Sequence, residues 1–287
     1  MISRNLLVRI AVAVPAIALT LLVVWSGGWV LAAVLGSLGV LGAREVYDLA
    51  RRQDIAPLDA LGYVGAAAIP FAALLAQQSR LYGGDAWAFI GALWLLGLLA
   101  EALITRPPDR RPLASVAVTV FGCLYASALL AFIVPIRHGL HSDAHPRASV
   151  ALVLFPLAVT WIGDTCAMAA GTLFRGPKLA PVLSPNKTWA GAAGGVVGAL
   201  VAAIAYGFLV LDRVAIHLDA GQLVAAGLLL AIAAQVGDVA ESLFKREAGL
   251  KDSSSLIPGH GGVLDRLDSL YFVLPVTAGL FRLFGVV

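Results

Sequence analysis

Residues 86–105 read Ala86-Trp87-Ala88-Phe89-Ile90-Gly91-Ala92-Leu93-Trp94-Leu95-Leu96-Gly97-Leu98-Leu99-Ala100-Glu101-Ala102-Leu103-Ile104-Thr105, with Glu101 the only charge. A helix of about 20 residues rises about 30 Å, the thickness of a bilayer's hydrocarbon core, so this run reads as a membrane span. The pattern recurs in both directions. Apolar stretches predict helices at 5–24, 29–50, 59–78, 86–105, 113–136, 149–171, 188–210, 220–243 and 265–285. The whole chain agrees: its 287 residues are 60% apolar and 13% charged, with a mean hydropathy of +0.90. Soluble domains carry about 25% charged residues. These figures exclude a disordered chain and leave no room for a large water-soluble domain. The expected fold is all-α, a polytopic integral membrane protein of about nine transmembrane helices.

Arg4 and Arg9 precede the first apolar run as in a signal peptide. The run is too long for an h-region, shows no small-residue cleavage motif and is followed at once by a second, so a retained span is expected. One set of loops is basic: Arg51 and Arg52, then Arg106, Arg110 and Arg111, then Arg175, Lys178 and Lys187, then Lys245, Arg246, Lys251 and Arg266. The opposite set holds only Arg80, Arg137, Arg147 and Arg213, with Arg282 near the C-terminal end. The positive-inside rule then places the N-terminus in the cytoplasm and the C-terminus outside. The expected location is the cytoplasmic (inner) membrane, with the functional loops on its cytoplasmic side. A net charge of +3 and a pI near 9.0 come from short clusters rather than a stripe, which argues against a nucleic-acid partner. Cys123 and Cys166 lie in separate apolar segments, giving neither a disulfide framework nor zinc spacing. His138, His141 and His145 share a loop with no obvious fourth ligand, so a metal site there is not favoured.

Polarity divides the chain into residues 1–148, bland transmembrane helices, and residues 149–287, a catalytic transmembrane region with cytoplasmic loops 172–188 and 244–264. In the first part Arg44, Glu45, Asp48 and Glu101 sit at helix ends, where long side chains reach water or pack. In the second, Trp161-Ile162-Gly163-Asp164-Thr165 places a carboxylate inside an apolar helix, by default the mark of a pathway or site. Ser184-Pro185-Asn186-Lys187-Thr188 offers hydroxyls and a point charge beside a helix start, which suits an anion, although Ser-Pro also simply begins helices. Gly191/Gly195 and Gly194/Gly198 read as close helix packing, with a phosphate-cradling loop the weaker reading. Asp238, Glu241, Ser242 and Lys245 share one helix face. Beyond them lie Arg246, Lys251, Asp252, Ser253-Ser254-Ser255, Pro258-Gly259-His260-Gly261-Gly262 and Asp265-Arg266-Leu267-Asp268. Carboxylates at helix ends suit Mg²⁺, which takes one or two of them together with substrate phosphates, while the basic residues suit phosphate oxygens.

The stretch from Ser242-Leu243-Phe244-Lys245-Arg246 through Lys251-Asp252 to Pro258-Gly259-His260-Gly261-Gly262-Val263-Leu264-Asp265-Arg266-Leu267-Asp268 resembles the signature of the phosphatidate cytidylyltransferase (CDP-diacylglycerol synthase) family. Asp164-Thr165 and Ser184-Pro185-Asn186-Lys187-Thr188-Trp189 resemble its second block. The resemblance covers roughly residues 155–287; the first 150 match only in their apolar spans, the Gly27-Gly28 turn and an acidic helix end at Glu45. Asn186 and Ala190 stand where the family commonly has a basic residue and a Glu, and Phe174-Arg175-Gly176-Pro177-Lys178 departs from its usual Phe-Gly-Lys.

The resemblance implies cytidylyl transfer from CTP to phosphatidic acid, giving CDP-diacylglycerol and pyrophosphate for phospholipid biosynthesis at the bilayer surface. It implies Mg²⁺ on Asp238 and Asp265, with Asp268 and Asp164 as further members of the shell, and leaves room for a second cation such as K⁺. Lys245, Arg246, Lys251 and Arg266 would then hold triphosphate or the lipid head group, with Lys187, Ser184 and Thr188 closing the other side. Ser242, Asp252, Gly261 and Gly262 complete the substrate set. His260 either protonates leaving pyrophosphate or binds a phosphate oxygen. Two other readings stand beside this one: a CTP-dependent kinase acting on a polyprenol, and an ion-coupled transporter, which would call for inverted repeats that the sequence does not display. The glycine pairs serve either a homodimer or packing within one chain.

Overall fold

The computed structural model describes residues 4–78, 85–139, 146–257, 259 and 261–287. Their backbone forms α1 (Arg4–Ser26), α2 (Gly28–Arg51), α3 (Asp59–Gln78) and α4 (Asp85–Thr105). Then come α5 (Pro108–His138) and α6 (Pro146–Phe174), a hairpin of β1 (Lys178–Ala180) and β2 (Ser184–Thr188), and α7 (Trp189–Val214). Helices α8 (Ala220–Glu247) and α9 (Leu264–Leu283) complete the chain. Each of the nine apolar stretches is therefore helical over most of its described residues, although Thr188 ends β2 and Phe132 is a turn. Among the described residues seven helices, α2 to α8, are long and apolar enough to cross a membrane. Helix α1 contributes a shorter apolar segment, Val14–Ser26. Helix α9, with Asp265, Arg266 and Asp268 in its first turns, stands outside that group.

The hairpin is a departure from the all-α expectation. Lys178 pairs with Thr188 and Ala180 with Ser184, antiparallel, and the Trp189 amide donates to the Pro177 carbonyl. Arg175 and Gly176 both have positive φ, 54° and 100°, which turns the chain away from the end of α6. A polar strand five residues long has no apolar alternation to announce it, so a pattern-based reading sees only a loop.

The chain forms two compact units, one of Met1–Val134 with Glu247–Arg266, the other of Pro135–Arg246 with Leu267–Val287. Tyr47, fully buried, centres the first unit: its hydroxyl donates to the Thr119 carbonyl (2.9 Å) and lies 3.4 Å from Cys123 Sγ. Cys123 donates to the Gly62 carbonyl (2.9 Å), Ser127 to that of Ala66 (2.6 Å), and the Leu58 amide to Thr119 Oγ1 (2.8 Å). Helices α2, α3 and α5 are thus tied by hydrogen bonds that water cannot supply inside a bilayer. A wide turn at Leu124–Ala128 interrupts α5 where Ser127 meets Gly39 of α2.

The second unit is built on α6 and α7. A side chain on Gly198 would strike Cys166 Cβ at 2.5 Å and one on Gly194 would overlap Ala170, so the small residues let the two backbones close. Phe155 packs against Tyr206 and Phe281, both at 5.6 Å between ring centroids.

Candidate active site

Each unit carries a polar centre among its described residues. In the first, Glu45 lies among buried Gly42, Ala43, Val46 and Tyr47 of α2 and is itself only 3% exposed. Its carboxylate accepts from the amides of Val263 (2.9 Å) and Leu264 (2.8 Å) and from the hydroxyls of Ser253 (2.9 Å) and Ser254 (2.7 Å). The amides at a helix start have no partner within the helix, and a carboxylate there also meets the positive end of the dipole. Glu45 therefore caps α9 from a distant part of the chain. Asp265 Oδ2 organises the same loop, accepting from the amides of Ser253 and Gly262 (both 2.8 Å) and lying 2.7 Å from the Ser253 hydroxyl, whose one proton it shares with Glu45.

The glycines are required by this packing. Gly261 has φ +81°, and a Cβ on it would lie 2.6 Å from Asp265 Oδ2; one on Gly262 would overlap Ser253 and the Glu45 carboxylate. The Ile257 amide donates a hydrogen bond to the Gly261 carbonyl (2.8 Å). Lys251 and Asp252 are exposed on this loop, and Arg266 is exposed in the first turn of α9. His260 lies outside the described residues, as do His141 and His145.

In the second unit Lys187 Nζ pairs with Asp238 Oδ2 at 2.5 Å. Asp164 is within electrostatic reach of Asp238 and Lys187, and Asp268 of all three. The local reason is Gly237: a Cβ there would sit 2.6 Å from the Asp268 carbonyl and 3.0 Å from the Phe272 ring. Its absence lets the α8 backbone press onto α9 and brings neighbouring Asp238 toward Asp268. Lys187 reaches the same place from the hairpin, whose last residue, Thr188, caps α7 by accepting from the Gly191 amide (3.0 Å). Ser184 lies at the start of that strand and is partly buried. Farther along α8, Lys245 pairs with Glu241 at 2.7 Å, both buried, and Ser242 is buried beside them. Arg246 Nε donates to the Leu183 carbonyl (3.1 Å), fastening the hairpin to α8.

Four expected site residues thus come together: Lys187, Asp238, Asp164 and Asp268. Asp265, Gly261 and Gly262 belong instead to the loop centre held by Glu45. Glu45 and Ser253 were not among the expected site residues. The clue was present in Glu45, a carboxylate flanked by apolar residues that face a core, the same clue that singled out Asp164. Glu241, on the same helix face as Asp238 and Lys245, is buried against Lys245.

The donor set of the second centre is hard oxygen with one lysine. Among the described residues no group of three or more His, Cys, Asp or Glu is gathered closely enough to cage a metal ion. Carboxylate oxygens are the donor type that Mg²⁺ takes, one or two of them with water and substrate phosphates as its other ligands.

Long apolar helices, with Asp164 and Asp238 within α6 and α8 and Lys187 and Asp268 beside them, are compatible with a polytopic membrane protein that carries a charged cluster. The model of the cytidylyltransferase family matches residues 7–284, and the chain belongs to that family. The chain is 50% identical over 135 residues to the phosphatidate cytidylyltransferase of Brucella suis, an alignment covering 47% of each. It is 41% identical over 144 residues to the Haemophilus influenzae enzyme of the same name, again 47% of each. With the chloroplastic phosphatidate cytidylyltransferase 5 of Arabidopsis thaliana it shares 30% identity over 284 residues, 92% of this chain and 69% of that one. The chain spans about half the length of the bacterial relatives it matches.

Proposed function

We propose that this chain transfers a cytidylyl group from CTP to phosphatidic acid, forming CDP-diacylglycerol and pyrophosphate in phospholipid biosynthesis. The observation that carries the reading is the Lys187–Asp238 pair with Asp164 and Asp268 beside it, in a chain whose family and named relatives share this chemistry. The lipid's phosphate monoester is already anionic near neutral pH, since the second ionisation of such esters falls at about 6. One of its oxygens attacks the α-phosphorus of CTP, and the bond to the bridging oxygen breaks, so pyrophosphate leaves with that electron pair. No side-chain nucleophile is needed; alignment and charge neutralisation are.

Asp238, Asp268 and Asp164 are the residues that would hold Mg²⁺, which when bound would offset the charge of the triphosphate. Asp265, whose Oδ2 already serves three donors, shapes the loop. Lys187 exchanges Asp238 for a phosphate oxygen as substrate enters. Lys245, locked to Glu241, positions the end of α8. Arg246 and exposed Lys251 and Arg266 add positive charge for phosphate. The chain crosses the inner membrane nine times, N-terminus in the cytoplasm and C-terminus outside, with this chemistry on the cytoplasmic side.

The test uses full-length protein in mixed micelles with phosphatidic acid, Mg²⁺ and CTP labelled at the α-phosphate. Label should enter lipid with an equal release of pyrophosphate, and Lys187→Ala or Asp268→Asn should each lower the rate about a hundredfold, the loss expected on removing one transition-state contact. Label that stays in nucleotide, or that reaches lipid only from γ-labelled CTP with release of CDP, overturns the reading in favour of a kinase.

A further inference from the structure

Between Asp164 and Asp212 the chain carries no acidic residue, and its only charges are Arg175, Lys178 and Lys187. Lys187 is taken up by Asp238. Arg175 and Lys178 are exposed and form no ion pair among the described residues. The same segment shows hydrocarbon: Leu173, Phe174 and Val182 are 75%, 72% and 81% exposed, and Trp189 is exposed at the start of α7.

Depth gives this combination its meaning. Helix α6 has 29 residues and rises about 43 Å, matching the roughly 40–45 Å of a bilayer with its headgroup layers. Arg147 stands at one end, so Leu173 and Phe174 at the other fall at headgroup level. Positive φ at Arg175 and Gly176 then turns the chain off the helix axis into the hairpin. The Trp189 amide on the Pro177 carbonyl fastens its root, and Arg246 on the Leu183 carbonyl fastens its tip. Pro181 at that tip has no amide to desolvate, and Val182 beside it offers an aliphatic side chain. Exposed apolar groups interleaved with arginine and lysine are the composition of an interfacial anchor, with hydrocarbon in the acyl boundary and cations on lipid phosphates. Trp189 agrees, since tryptophan gathers at that level. A nucleotide would engage the cations and leave the apolar tip in water.

Building on the proposed lipid substrate, we infer that the hairpin seats on the anionic bilayer surface, Phe174 and Val182 in the acyl boundary and Arg175 and Lys178 on phosphatidic acid headgroups. Lys178 pairs in register with Thr188, the neighbour of Lys187, so a headgroup gathered there lies beside the acidic centre. Arg175 and Lys178 are then recruiting residues, outside the reacting centre.

The experiment places the full-length chain, with Cys166 replaced by alanine, in phosphatidylcholine nanodiscs with and without phosphatidic acid. Val182→Cys carries an environment-sensitive fluorophore, and lipids brominated on their acyl chains quench it; no CTP is present. Quenching should deepen when phosphatidic acid is included, and high salt or the pair Arg175→Gln and Lys178→Gln should reverse that gain. In mixed micelles each glutamine variant should raise the KM for phosphatidic acid about fivefold, the worth of one basic residue at an anionic surface, leaving kcat and the KM for CTP unchanged. A fluorophore that bromine never reaches, or quenching indifferent to phosphatidic acid, overturns the inference. So does a KM effect that falls on CTP, which would make the hairpin a nucleotide site. Efficient cross-linking of Val182→Cys between two chains overturns it in favour of a second copy on this face. If the hairpin seats but no label passes from CTP to lipid, cytidylyl transfer fails while the docking stands. Turnover without seating sinks the docking alone.

Discussion

Glu45 gathers two backbone amides and two hydroxyls onto one carboxylate. Replacing it with alanine strands the Val263 and Leu264 amides in a buried place, and hydrogen bonds to a charged group are worth about 1.5–3 kcal/mol each. Glu45→Ala should therefore destabilise the chain by about 3 kcal/mol and expose residues 247–263 to protease, and Glu45→Gln, which keeps one acceptor oxygen, should do less. Limited proteolysis with thermal unfolding checks both, and an alanine variant with an unchanged cleavage pattern would contradict the capping role. At this scale the sequence was informative where polarity clashed with its surroundings. Asp164 stood out in mid-helix; Glu45, under the same clash, sat near a helix end, where snorkelling offered a ready explanation. Nothing in its own neighbourhood names Val263 as its partner, because that pairing is a product of tertiary packing.

Among elements, the α6–α7 pair depends on glycines that face the opposing backbone. A methyl at Gly198 must displace Cys166, and overpacking of this kind costs about 1–3 kcal/mol. Gly279 in α9 has nothing within 4 Å of an added Cβ, so Gly279→Ala should be neutral or gain about 0.5–1 kcal/mol from helix propensity. Unfolding titrations of Gly198→Ala and Gly279→Ala should thus move in opposite directions; equal effects would mean that α6 and α7 are not closely packed. The helices themselves were legible because a membrane span repeats one simple composition over some 20 residues. The hairpin was not, since Ser184–Thr188 is polar, brief and defined by its pairing with Lys178–Ala180. The packing role of Gly191, Gly194, Gly195 and Gly198 was legible, whereas the service Gly237 performs for Asp268 involves a helix some thirty residues further on.

For the molecule as a whole, the distribution of basic residues makes a sided prediction. Ser255 and Asp219 are both exposed, and the proposed topology sets them on opposite faces of the membrane. With Cys166 replaced and Cys123 left buried in the core, Asp219→Cys in intact cells should react with an impermeant maleimide. Ser255→Cys should react only after permeabilisation. Labelling of Ser255→Cys from outside would reverse the topology.

The bond from Ser253 to Glu45 spans 208 positions of the chain. During synthesis α2 therefore waits in the membrane through most of translation before the segment that it anchors is made. A fragment beginning at residue 149 would carry every residue of the family signature and still emerge with the first turn of α9 uncapped and its serines unmatched. The signature-bearing part of the chain thus depends on α2 for the geometry of its loop. Its ordering is deferred to the return of a late segment onto an early helix, and the apparently featureless N-terminal helices act as the template for that return.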